Sequence, residues 1–142
     1  MADRTATVIW SGSLMEGGGT IESVGSGAFG PLDVTWASRA EDSDGRTSPE
    51  ELIGAAHAAC FSMALSHGLA QAGSPADRLE TSATVTFVPG TGITKIALTV
   101  RGSVLGIDEA AFVEAADTAV ENCPVSKALA AVPEITLDAR LA

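Results

Sequence analysis

Apolar and polar positions alternate in short runs through the first third of the chain, then give way to one long apolar stretch. Thr5-Ala6-Thr7-Val8-Ile9-Trp10, Thr20-Ile21-Glu22-Ser23-Val24 and Leu32-Asp33-Val34-Thr35-Trp36 are rich in β-branched and aromatic residues. They predict three strands over about 5–37. Glycines at 17, 18, 19, 25, 27 and 30 punctuate them, and a polar loop, Glu41-Asp42-Ser43-Asp44-Gly45-Arg46, follows. The apolar stretch then opens with strong start signals. Ser48 suits an N-cap, Pro49 the first helical position, and Glu51, three residues after Ser48, completes a capping-box pattern. Gly73 suits the other end. The pattern predicts a helix over about 49–72 that is apolar on nearly every face and so is expected to be buried.

Two further strands are predicted over about 79–104, joined by Pro89-Gly90-Thr91-Gly92. Asp108 suits the N-cap of the first of two helices over about 108–130, and Cys123-Pro124 opens the second. Renewed alternation predicts a final strand over about 134–141. The order β-β-β-α-β-β-α-α-β is an α+β pattern in one domain, residues 1–142. It leaves the central helix short of cover. Six strands can shield one side, while Gly54, Ala55, Ala56, Ala58 and Ala59 would let another helix come close. We therefore expect an intimate homodimer built around paired copies of that buried central helix.

Composition narrows the function classes. With 142 residues, 46% of them hydrophobic, the chain can bury a substantial core. A formal charge of −10 disfavours nucleic acid as a partner, and no basic patch suggests an anionic membrane. No signal-peptide pattern opens the sequence, and no apolar run reaches a membrane span without polar interruption. Two cysteines are too few for a disulfide scaffold. A cytoplasmic protein is expected, with both thiols kept reduced between reactions. Phosphate-loop, dinucleotide and GxSxG patterns are missing.

Cys60 lies within the apolar helix. Free cysteine there behaves as a small hydrophobe, and burial alone would raise its pKa. It needs a cation to ionise, and only eight lysines and arginines exist. Arg39, just past the third strand, offers several fixed donors and is the first choice; Arg46, in the polar loop, is the second. Glu51 is explained by the capping box, so Glu50 is the better functional carboxylate. Ten residues separate Glu50 from Cys60, roughly 15 Å along a straight helix. The expectation is that Glu50 of one subunit orients an arginine over the Cys60 of the other, or that the arginine bridges a local break in the helix. Cys123, at a second helix start, should gain thiolate character from the N–H groups there. His57 lies on roughly the same helical face as Cys60. His57, Cys60 and Cys123 lack a fourth ligand for zinc, so no metal or other cofactor is expected. His67 reads as a partly buried residue, and Met63, Phe61, Leu65 and Ile53 as core or the lining of an apolar channel.

The run from Thr47 through Ser48-Pro49-Glu50-Glu51-Leu52-Ile53-Gly54-Ala55-Ala56-His57-Ala58-Ala59-Cys60-Phe61-Ser62-Met63-Ala64 to Leu65 resembles the central helix of the OsmC/Ohr family of peroxidases. Ile93-Thr94-Lys95-Ile96-Ala97-Leu98, Gly106-Ile107-Asp108, Asn122-Cys123-Pro124-Val125-Ser126 and Glu134-Ile135-Thr136-Leu137-Asp138 extend the resemblance over essentially the whole chain. It implies a swapped α+β homodimer that reduces organic hydroperoxides with a cysteine pair. Cys60 matches the peroxidatic position, Cys123 the resolving one, and Glu50 the carboxylate that pairs with the catalytic arginine. Leu14-Met15-Glu16-Gly17 carries no arginine where the Ohr branch has one, so Arg39 fits the OsmC branch. The implied reductant is a dithiol such as a dihydrolipoyl protein. The alternative is a non-catalytic dimer that binds apolar ligands or senses redox state.

Overall fold

The computed structural model describes residues 1–142, which form two compact units, Met1–Leu52 and Ile53–Ala142. In the first, β1 (Ala6–Ser11), β2 (Gly18–Val24) and β3 (Leu32–Val34) make an antiparallel sheet in that order. This sheet has little interior. Every residue of β1 is exposed, including Val8, Ile9 and Trp10, and Ile21 is its one buried large apolar side chain.

The third strand ends earlier than the sequence pattern suggests. Thr35 and Ser38 form a reciprocal cap: Ser38 N–H donates to Thr35 Oγ1 at 3.0 Å, and Thr35 N–H donates to Ser38 Oγ at 2.9 Å. Trp36 therefore starts a short helix, α1 (Trp36–Ala40), and the order is β-β-β-α-α-β-β-α-α-β. The usual capping box places Glu or Gln at its third helical position, so a serine there hid the signal. Ser38 also reaches Thr47 O at 3.0 Å, which ties α1 to the segment leading into the next helix.

That helix, α2 (Pro49–Gln71), is unbroken. Ser48 Oγ accepts from Glu51 N–H at 3.1 Å at its start. At its end Gly73 takes φ 86°, and Ser74 N–H bonds Leu69 O while Gly73 N–H bonds Ala70 O. This double bond set needs a left-handed residue, which glycine adopts without a Cβ penalty.

The second unit holds the main core. β4 (Ala76–Val88) and β5 (Gly92–Val104) form an antiparallel hairpin, and β6 (Glu134–Leu141) lies parallel to β5. A parallel neighbour requires a crossover. Here α3 (Glu109–Asn122) and α4 (Pro124–Ala128) supply it, with Asp108 capping α3 through Ala111 N–H. Phe61, Leu65 and Leu69 of α2, Leu98 and Val100 of β5, and Phe112, Ala116 and Ala119 of α3 form one buried cluster that also encloses Cys123. Two glycines set its spacing. A Cβ on Gly54 would stand 3.0 Å from Ala83 O, so α2 lies close on β4. A Cβ on Gly102 would stand 2.5 Å from the Phe112 ring, so that position must stay bare.

In the single chain α2 is covered on one side. Gly54, His57, Phe61, Leu65 and Leu69, spaced by three or four residues, face the core. Ala55, Ala56, Ala59 and Met63 are exposed, Met63 to 72%. One sheet covers one face of a helix, and the small residues lie on the other. By length and mean hydropathy alone α2 reaches what a membrane span requires, with Glu50, Glu51, His57 and His67 interrupting the apolar run. Its inward face is nevertheless committed to the packed core just described.

Candidate active site

Two of the four candidate residues meet in the second unit. Cys60 comes from the middle of α2, and Cys123 is both C-cap of α3 and N-cap of α4. Both thiols are unbridged, and each perturbs the ionisation of the other. Cys123 is fully buried, whereas Cys60 keeps partial exposure. Their electrostatics diverge despite the contact. Burial pushes the Cys60 thiol up, and the Cys123 contact adds to that rise against a hydrogen bond from the Val125 main chain. Cys123 feels burial most strongly, yet ends lowered. Main-chain hydrogen bonds from Ser126 and Val125, with those from the Cys60 and Ser126 side chains, outweigh its desolvation. Hydrogen bonds to the charged form favour that form. The pair titrates as one unit, and the first negative charge is better held on the Cys123 side.

The other two candidates meet in the first unit. Arg39 projects from the last turn of α1, and its Nε and Nη2 both approach Glu50 Oε1 at 2.9 Å. The Glu50 side chain is only 8% exposed and that of Arg39 32%. Glu50 Oε2 is buried without a hydrogen-bond partner, so it can accept one more donor. Arg46, the second-choice arginine, pairs at the surface with Asp44 at 3.1 Å. Glu51 is exposed.

The sequence reading passed over one further contact. His57 is fully buried, and its Nε2 lies 2.7 Å from Ser126 Oγ in α4. Burial lowers its pKa, and Nδ1 has no partner. His67 lies elsewhere, beside a cavity of about 570 Å³ lined also by Ser62, Met63, Ser66, Arg78 and Leu79. Phe61 and Leu65, read from the sequence as core or channel lining, are fully buried.

Taken together, these features define a paired-thiol protein on an α+β frame. The family model for OsmC-like proteins matches residues 41–138. The chain is 45% identical over 135 residues to peroxiredoxin OsmC of Escherichia coli strain K12, covering 93% of this chain and 92% of that protein. The chain belongs to the OsmC-like family. Among solved structures, the organic hydroperoxide resistance protein OhrB of Bacillus subtilis is similar at TM-score 0.65 and 25% identity, with 97% of this chain and 98% of that one covered. An organic hydroperoxide resistance protein OsmC from Legionella pneumophila shares the fold at TM-score 0.66 and 20% identity, with 96% of each covered.

Proposed function

We propose that this protein is a cysteine-based peroxidase that reduces organic hydroperoxides to alcohols. The observation that carries the reading is the contact between a partly exposed Cys60 and a fully buried Cys123, both unbridged, in an apolar core. Access assigns the roles. A peroxide can reach Cys60, while Cys123 touches it from inside. The Cys60 thiolate attacks the distal oxygen of ROOH, the O–O bond breaks, and the alkoxide leaves as alcohol after taking a proton. Cys60 becomes a sulfenic acid. Cys123 then attacks the Cys60 sulfur, the S–O bond breaks, and water leaves as the disulfide forms. A dithiol returns the pair to thiols by exchange. A dihydrolipoyl protein in the cytoplasm fits that requirement, since such a compartment keeps thiols reduced.

Burial holds Cys60 in its neutral form, so the first step needs a cation. In this reading Arg39 supplies it, and Glu50 fixes the guanidinium through the ion pair already formed. Ten residues of α2 separate Glu50 from Cys60, a rise of roughly 15 Å along the helix. A homodimer would present the Arg39–Glu50 pair of one copy to the Cys60 of the other. The exposed Ala55, Ala56, Ala59 and Met63 of α2 and the bare apolar β1 support that assembly. Apolar surroundings favour organic peroxides over hydrogen peroxide, at roughly 0.8 kcal/mol per buried CH₂.

Thiol titration before and after one equivalent of cumene hydroperoxide tests the reading. Loss of both thiols, with a mass change of a disulfide only, is the expected result. Unchanged thiols would return the chain to the non-catalytic class, a binder of apolar ligands.

A further inference from the structure

His57 and Ser126 belong to no step derived above, yet they join two helices of very unequal anchorage. α2 is fixed in the core by Phe61, Leu65 and Leu69, all buried. α4 has five residues, no side-chain cap at its N-terminus, and one buried residue, Ser126. The Oγ of that residue lies 2.7 Å from Nε2 of the fully buried His57. α4 is thus tied to α2 by a polar contact with a titratable ring at one end. The other ring nitrogen, Nδ1, is buried without a partner. A buried N–H without an acceptor is rarer and more costly than a lone pair without a donor. Nδ1 is therefore the bare nitrogen, and Nε2–H of a neutral ring donates to Ser126 Oγ.

That assignment fits the site only while the ring is neutral. A second proton must enter on Nδ1. It would place a donor where no acceptor stands, and a charge in an apolar core, so the protonated ring needs water. Water arrives when one of the two helices moves. α2 would have to withdraw three large core side chains. α4 would withdraw one serine and the partly buried Val125. We infer that α4 is an acid-releasable cover: protonation of His57 at Nδ1 breaks its fit beside Ser126, and α4 lifts from α2 while the rest of the second unit stays folded. Histidine suits such a device because its ordinary titration falls in mild acid. The device belongs to the fold and stands whether or not the chain reduces peroxides.

No neighbouring charge offsets this. On α2 itself Cys60 stands one turn on, with a thiol that burial pushes up. From α4 comes the Ser126 hydroxyl, while Lys127 is exposed and would oppose a second cation. The β4 residues beside α2, namely Thr81, Ala83 and Val85, carry no charge. Neither do Leu98 and Val100 of β5, nor Phe112, Ala116 and Ala119 of α3. Cys123 is the remaining ionisable group of that core. A thiolate there would favour the charged ring, yet burial still lowers the His57 pKa. The lowered value gives the sign. The opened form accepts a proton below about 6.5, whereas the closed form resists it until lower pH, so acid favours opening.

Native-state hydrogen exchange of the full chain tests the inference, with rates corrected for the intrinsic effect of pH. The reporters in α4 are the amides of Lys127, bonded to Cys123 O, and of Leu129, bonded to Val125 O. Their exchange should quicken roughly tenfold for each pH unit below about 6.5, until the lowered folded value is reached. Dilute urea should leave these rates unchanged, because a local opening exposes little surface, while it speeds the amides of Leu98 and Val100 in β5. His57→Gln, whose amide can still donate to Ser126 but cannot ionise, should remove the pH dependence and keep α4 protected. Rates in α4 that are flat with pH would overturn the inference. So would rates that match those of β5 in their response to urea, or a pH dependence that survives in folded His57→Gln protein. Nitrogen NMR of the unsubstituted protein gives a reading that needs no variant. A neutral Nε2–H ring is expected at neutral pH. A proton on Nδ1 instead, or a ring that titrates at its ordinary value of about 6.5 with α4 still protected, would overturn the inference.

Discussion

The ion-pair region and the thiol region of this protein are built in opposite ways. Arg39 and Glu50 are eleven residues apart, joined by a local cap, a short helix and a polar loop. Cys60 and Cys123 come from distant helices that meet in a closed core. The first region holds charge without a nucleophile. The second holds nucleophiles in surroundings that keep one of them neutral. Each lacks what the other has, so under the proposed function the chemistry depends on uniting them. The comparison also separates two kinds of activation: Cys123 is favoured as a thiolate by hydrogen bonds within its own unit, whereas Cys60 needs help from elsewhere.

Five experiments would break or sharpen this contrast. The largest effect is expected from Cys60→Ser, which should abolish hydroperoxide consumption; retained turnover would remove Cys60 as the nucleophile. Cys123→Ser should permit one rapid turnover and then stop, leaving a sulfenic acid that a dimedone-type reagent traps by mass. Together these two variants show whether the thiol region divides its work as access suggests.

Arg39→Ala should slow Cys60 oxidation roughly 100-fold, by loss of a positioned charge, with the disulfide-forming step unaffected. Stopped-flow separation of the two steps measures this. An unchanged first step would shift the role to Arg46, and a slowed second step would mean that the two regions do not divide the work as drawn. Glu50→Gln should cost less, because the arginine would remain but lose its orientation.

The smallest effect concerns acid stability. Burial lowers the His57 pKa, so the folded protein resists its protonation while the unfolded chain accepts a proton below about 6.5. Stability should therefore be full above that pH and decline as pH falls from there toward the lowered folded value. Denaturant midpoints at descending pH should show this decline, and His57→Gln should flatten it across the same window.

What could be read from the sequence follows the same division. The bounds of α2 and the last strand were legible because Ser48-Pro49 and Gly73 are strong local signals and because alternation is clean from Glu134 to Leu141. Helix α1 was hidden because its cap uses Ser38 where glutamate or glutamine is customary. The Arg39–Glu50 contact is nearly local, and the scarcity of cations pointed to it. Ser126 gave no such sign. Its importance comes from α4 packing against α2, a long-range event that no short pattern records, although a serine three residues after Cys123 at a helix start was there to be questioned. That α2 would be left short of cover was legible, but which residues the sheet covers was not, and Gly54 lies on the covered face.

Because the two cysteines lie in one core across a long stretch of chain, their oxidation would fasten α2 to the start of α4. Closing a loop of roughly sixty residues restricts the unfolded chain by about 4 kcal/mol in the entropic account. Encounter with an oxidant would thus leave a tougher molecule, slower to be digested by proteases until its thiols are regenerated. Survival in a limited digestion could then report, molecule by molecule, which copies have recently done their work.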